Sequence, residues 1–131
     1  MTFTEAQLEY LASQRLGRLA TVHPDTGMPQ NNPVSFVVNA EAGTIDIGGR
    51  AMGTTRKFAN VAGTGKASLV VDDVVDESTW AVRGIEIRGI AEAPTGVEPP
   101  TPYFSAEIIR IHPDRVIAWG LEETPGPAGS S

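Results

Sequence analysis

Apolar positions come in short bursts along this chain, and the spacing inside each burst predicts an element. Leu8, Leu11 and Ala12 fall on one face of a helix over residues 5–14. Thr4 and Gln7 give its start the pattern of a capping box, Phe3 precedes the cap with Leu8 placed to staple against it, and Gly17 is its expected stop. Residues 18–23 read as a strand, 24–27 (Pro-Asp-Thr-Gly) as a turn, and a second strand follows from Gln30 to Val38. Pro33 lies inside that strand and cannot donate to a sheet ladder. It therefore marks an edge, a bulge or an opening, with Asn31, Asn32 and Ser35 supplying polar groups beside it, unless the strand simply starts irregularly against water.

A third strand over 44–48 leads into a glycine-rich loop and a second helix that turns Phe58, Val61 and Ala62 inward and breaks at residues 63–65. Residues 66–72 are β-branched and apolar enough for a buried strand, which the acidic run 72–77 should end as a loop or frayed edge. The longest strand candidate is 80–93. Neither of its faces is cleanly polar and glycines are interspersed, as in a curved barrel strand that also meets a partner chain. Residues 95–102, with three prolines and a glycine, form a connector, and 106–112 with 116–119 read as a terminal hairpin joined through 112–115. The pattern adds up to six or seven short strands and two helices, a mainly β (α+β) antiparallel barrel with helices at its gaps. One domain is expected over residues 1–120, followed by a Pro/Gly/Ser-rich, disordered tail over 121–131. No internal repeat is present.

Charge singles out one part of this pattern. The chain carries a formal charge of -6, which argues against nucleic acid or an anionic membrane as partner. Yet no acid occurs between Asp46 and Asp72, where Arg50, Arg56, Lys57 and Lys66 all fall. The glycine-rich loop lies in this gap. Gly48, Gly49, Arg50, Thr54, Thr55, Arg56 and Lys57 would bring backbone N–H groups, hydroxyls and cations to the start of a helix, where an anion is held by donors the helix leaves open. A plain Thr-capped helix with Arg56 and Lys57 on a solvated face explains the same residues, and both readings stand at this point.

Other chemistries find less support. Cysteine is absent, so there is no disulfide, thiolate metal site or cysteine nucleophile, in keeping with a reducing compartment. No stretch approaches the length of a membrane span and no signal segment opens the chain, so a soluble cytoplasmic protein is expected. His23 and His112 are far apart and each adjoins a proline, as surface turn residues do. Neither a Gly-x-Ser-x-Gly elbow nor a dinucleotide or P-loop glycine motif occurs.

Four stretches in order then become familiar: Arg18-Leu19-Ala20-Thr21-Val22, Gly27-Met28-Pro29-Gln30-Asn31-Asn32-Pro33-Val34, Thr55-Arg56-Lys57-Phe58-Ala59-Asn60-Val61, and the closing run from Ile111-His112-Pro113-Asp114-Arg115 through Val116-Ile117-Ala118-Trp119-Gly120. Over residues 5–120 the chain resembles the pyridoxamine 5'-phosphate oxidase-like split β-barrel flavoproteins, and among them the short actinobacterial type that uses the deazaflavin coenzyme F420. The resemblance implies an FMN-binding-type split barrel and a homodimer with cofactors along the subunit interface. It gives the cofactor phosphate to Thr55, Arg56 and Lys57, and lays the ring near Pro33, Val34, Ser35, Ile47 and Gly48 with Arg50 nearby. Trp80 or Arg83 would touch the cofactor from this subunit or its partner, against plainer roles as an interface or core tryptophan and a solvated arginine.

The activity implied is hydride transfer between F420 and a small conjugated or unsaturated substrate. An FMN-dependent oxidase or reductase on the same barrel and a non-catalytic flavin or deazaflavin carrier are the alternatives. Such a cofactor brings its own chemistry, so the lack of a nucleophile or triad is expected, and no catalytic residue is assigned. Two departures bear on this. No C-terminal Arg/His clamp like that of true pyridoxamine phosphate oxidases is seen, which counts against vitamin B6 oxidation. With only two lysines, a groove for an oligoglutamate tail would rest on arginines, which leaves F420 against FMN open.

Overall fold

The structure is a computed structural model and describes residues 2–121. The tail expected over 121–131 lies, from residue 122 on, outside the described residues. Helix α1 (Glu5–Ser13) begins with the expected capping box: Gln7 N–H donates to Thr4 Oγ1 at 3.1 Å and Thr4 N–H to Gln7 Oε1 at 3.0 Å. Its buried face is Gln7, Tyr10 and Leu11, with Leu8 half-buried. Ala12, expected inward, is exposed, because the bulk of Tyr10 sets which side of the helix meets the sheet. Gly17 is not the helix stop. The helix ends four residues earlier, with Ser13 Oγ donating to Tyr10 O at 2.6 Å, and Gly17 is a buried strand residue where a Cβ would meet Leu69 Cδ1 at 2.8 Å.

Among the described residues seven strands follow: β1 (Leu16–Val22), β2 (Pro29–Ser35), β3 (Val37–Asn39), β4 (Thr44–Ile47), β5 (Lys66–Asp76), β6 (Ala81–Glu92) and β7 (Ile109–Trp119). Between β4 and β5 lie a 3-10 turn (Met52–Thr54) and helix α2 (Arg56–Thr64), which Gly65 ends in the left-handed region. All pairings are antiparallel, in the order β2-β1-β5-β6-β7-β4-β3. The two edge strands, β2 and β3, are consecutive in the chain and separated only by Phe36. A sheet whose opposite edges are joined by one residue must curl, and the result is a mainly β half-barrel flanked by two helices.

Three boundaries differ from expectation. The strand expected over 30–38 breaks at Phe36, because its two halves pair with different neighbours, β1 and β4. The acidic run does not end β5. The strand continues to Asp76 against β6, and Asp72 and Asp73 find cations on the strands beside them, Arg18 on β1 and Arg83 on β6. Nor is there a terminal hairpin. Residues 109–119 are one strand between β6 and β4, with a bulge at Pro113-Asp114 opposite Gly89. A proline without an N–H to give the ladder is tolerated there.

The interior is a single apolar cluster. Leu19, Ile45, Ile47, Leu69, Val71, Ile85, Ile87, Ile109 and Ile111, all fully buried, form its centre, and Phe58 and Val61 of α2 and Leu11 of α1 plug into it. Ala62, expected inward, is exposed, and buried Asn60 takes a place on the packed face of α2 instead.

Candidate cofactor site

Strand β4 is held against β7 by Arg110, whose Nε and Nη2 donate to Asp46 at 3.0 and 3.2 Å. It delivers the chain to Gly48 and Gly49 at the start of the loop. Gly48 is buried and has no space for a side chain, since a Cβ would stand 2.7 Å from Phe104 and 3.1 Å from Pro100. Segment 104–107 then fastens the loop at both ends. Ser105 N–H and Oγ–H donate to Gly49 O at 2.8 and 3.1 Å, Met52 N–H donates to Ser105 Oγ at 3.0 Å, and Gly53 N–H donates to Glu107 Oε1 at 3.0 Å.

Thr55 is the N-cap of α2. Its hydroxyl accepts from Phe58 N–H at 3.3 Å and donates to Met52 O at 2.7 Å, while Thr54 Oγ–H bonds Ala51 O at 2.9 Å. The plain cap is therefore present, and it does not use up the donors of the first turn. Among the described residues, the N–H groups of Arg56 and Lys57 have no acceptor, and the Lys57 ammonium and Arg50 guanidinium have no ion pair. Arg56 is braced from below: its Nε donates to Asn60 Oδ1 at 2.8 Å, and Asn60 Nδ2 donates to Thr21 Oγ1 at 3.1 Å. Its exposed guanidinium is thus anchored at one nitrogen with the others open. What the arrangement offers chemically is a helix start with two N–H groups left open and Arg56 and Lys57 in its first turn, the donor set that binds an anion, with Arg50 earlier on the same loop.

The structure brings Arg50, Thr55, Arg56 and Lys57 together on this loop and helix start. The residues expected along a ring are more dispersed. Val34 and Ile47 are core residues, 6% and 0% exposed, so their side chains face the interior. Pro33 is exposed and Ser35 half-buried on edge strand β2, and Gly48 lies beneath Phe104 and Pro100. Trp80 sits at φ 54° in the β5–β6 connection and is 69% exposed. The whole twelve-residue length of β6, about 35–40 Å, separates it from the level of Asp46 and Ile47 in the same chain. Arg83 is already engaged: its Nε and Nη2 donate to the two oxygens of Asp73 at 2.8 and 3.1 Å, and its guanidinium lies 4.9 Å from the centre of the Tyr10 ring.

Of the histidines, His23 is the turn residue expected, its Nδ1 accepting from Asp25 N–H at 3.1 Å. His112 is instead a strand residue hydrogen-bonded to Glu92. Sequence reasoning gave no role to Ser105, Glu107 or the Asn60–Thr21 brace. The first two touch the loop across more than fifty residues of chain, where no local pattern reaches, whereas a buried Asn on an amphipathic helix face could have been noticed.

Comparisons with known proteins agree with this architecture. A sequence model of the pyridoxamine 5'-phosphate oxidase family matches residues 3–120. A 5a,11a-dehydrotetracycline/5a,11a-dehydrooxytetracycline reductase from Streptomyces rimosus is 48% identical over 123 residues, covering 93% of this chain and 86% of that protein. A conserved hypothetical protein from Mycobacterium tuberculosis superimposes with a TM-score of 0.69 at 21% identity, over 96% of this chain and 93% of its own. A FAD binding protein from Mycobacterium smegmatis does so with 0.63 at 18%, over 87% and 93%. At those identities the two structures share the fold.

Proposed function

The chain belongs to the pyridoxamine 5'-phosphate oxidase family, and from that premise we propose that this oxidoreductase uses coenzyme F420 to pass a hydride to a conjugated, unsaturated small molecule. The observation that carries the reading is the uncommitted start of α2, where the Arg56 and Lys57 N–H groups and the Lys57 ammonium have no partner among the described residues. Those donors fit a phosphate. When bound, the deazaflavin supplies the hydride chemistry. The chain's own share is to anchor the phosphate through Lys57, Arg56 and the cap turn at Thr55, with Arg50 adding charge from the loop. Pro33 and Ser35 on β2 offer the ring a surface, and the main chain at Ile47 and Gly48, which leads into the loop, is the second contact proposed for it.

The relative's name describes reduction of a 5a,11a-dehydro compound, a carbon–carbon double bond in a fused-ring tetracycline. A flat conjugated acceptor of that class is the substrate proposed here. The working unit is a cytoplasmic homodimer with the cofactor along the subunit interface. Exposed Val74, Val75, Trp80 and Val82 at the far end of β5 and β6 supply apolar surface for that contact, and a partner's copy of this arm is how a tryptophan could reach the ring. No helix among the described residues is long and apolar enough to cross a membrane.

Titration of the purified protein with F420 and, separately, FMN tests the reading, followed by reduced-cofactor consumption with a panel of enones. Saturable F420 binding tighter than that of FMN is expected, with turnover on at least one enone. Tighter FMN binding would move the protein to flavin chemistry, and binding without any turnover would make it a carrier. Replacing Lys57 by Ala should weaken cofactor binding by about 1.5–3 kcal/mol, the worth of a charge-assisted hydrogen bond, with the unfolding midpoint unchanged. Loss of stability with affinity intact would show the helix start to be a cap and nothing more.

A further inference from the structure

Residues 47–71 contain no acid, yet the fold places one on their loop. Glu107 comes from 54 residues away to accept the Gly53 N–H at 3.0 Å, two residues before the cap Thr55. The contact is close: a Cβ on Gly53 would stand 2.7 Å from Glu107 Oε1 and 3.0 Å from its Cδ. Ser105, two residues earlier, bonds Gly49 and Met52, so the segment that carries Glu107 is fastened to the loop beside the carboxylate. Asp46, Asp72, Asp73 and Glu86 each have an arginine within 3.0 Å and Glu92 has His112, whereas Glu107, like Glu41, Glu98, Asp114 and several other acids, has no cationic partner among the described residues. A neutral acceptor would make the same hydrogen bond to Gly53, as Ser105 does to Met52. The negative charge is thus surplus to the clamp, and the N–H that holds it belongs to Gly53, two residues before the N-cap Thr55 of the helix that opens with Arg56 and Lys57.

We propose that Glu107 selects the charge of the phosphate held at Arg56 and Lys57, favouring a singly charged phosphodiester over a doubly charged phosphate monoester. The inference rests on the cofactor reading above and deepens it. A carboxylate beside the helix start repels a dianionic phosphate about twice as strongly as a monoanionic one, and so offsets part of the stronger pull that Arg56 and Lys57 exert on the dianion. Among the cofactors considered, FMN carries a terminal monoester and F420 a diester, so at the phosphate itself Glu107 tilts the site toward F420 without touching either ring.

Titrations of F420 and FMN against the full chain, Glu107→Gln and Gly53→Ala test this, with thermal unfolding measured alongside. Glu107→Gln keeps an acceptor for Gly53 and removes the charge; Gly53→Ala keeps the charge and pushes it off the loop. Both variants are expected to raise FMN affinity relative to F420 by about threefold to tenfold, the size of one partly screened charge beside the helix start. An unchanged ratio in both variants, or equal gains or losses for the two ligands, overturns the proposal while the cofactor reading survives. Failure of the wild-type chain to bind either ligand would sink both together.

Discussion

Asp73 receives two nitrogens of Arg83 and the hydroxyl of buried Tyr10, which donates to its Oδ1 at 2.8 Å. One carboxylate therefore ties α1 to β5 and β6. The Arg83 hydrogen bonds hold the Asp73 carboxyl below the ordinary carboxylate range, helped by the Tyr10 hydroxyl and the charge of Arg83 and opposed by burial. Burial first, and then the bond to Asp73, push the Tyr10 phenol well above its usual value, so it remains a donor at any physiological pH. A carboxyl whose folded value is lowered stabilises the fold above its unfolded value near 4, and that contribution is lost as pH falls through the folded value. Asp73→Asn should accordingly lower the urea midpoint at pH 7 and leave a much smaller gap from wild type at pH 3. An equal gap at both values would mean that the charge contributes nothing. At this scale the cations of the helix start could be read from the chain, since Thr55, Arg56 and Lys57 are contiguous and their placement follows from one capping residue. Glu107, Ser105 and the engagement of Arg83 with Asp73 could not, because each joins strands or loops that only the sheet brings together.

Elements were legible where the local pattern was also the structural one. The capping box of α1, the glycine break that ends α2 and the apolar, β-branched run that opens β5 are of this kind. The chain misleads where a neighbour decides. Pro113-Asp114 has the composition of a turn, but β6 pairs with β7 on both sides of these residues and absorbs them as a bulge, while β4 pairs only with 109–111. Gly89 makes that bulge possible, since a Cβ there would stand 2.0 Å from the main-chain oxygen of His112. The obstacle is backbone on an inner strand, which cannot swing aside. Gly89→Ala should therefore cost about 3 kcal/mol, at the upper end of what overpacking does, seen as a lower denaturant midpoint with an unchanged slope. A midpoint within error of wild type would mean that β7 pairs with β6 without the bulge.

For the molecule as a whole, the barrel class followed from counting strands and turns, but its closure did not, because nothing in residues 29–39 announces that one continuous extended run supplies both edges of the sheet. The surface bears on assembly. The apolar residues exposed at the end of β5 and β6 are matched by Val22 and Ile90 in a groove of about 390 Å³ on the outer face of β1, β5 and β6. Light scattering is expected to give twice the mass of the chain at micromolar concentration, and Trp80→Ala to weaken cofactor binding. A monomeric mass would remove the interface from the proposed site.

The place of β7 in the strand order also bears on how this protein is made. It is the last strand in sequence among the described residues, yet it stands between β6 and β4. As the chain leaves the ribosome, β1, β2, β5 and β6 can pair as they appear, but the β3–β4 hairpin, made early, has no sheet to join until residues 109–119 have been synthesised. Until then both flanks of the future barrel wait on its final stave, and a nascent chain stalled before Ile109 would hold the Ile45 and Ile47 side chains in search of a core that does not yet exist.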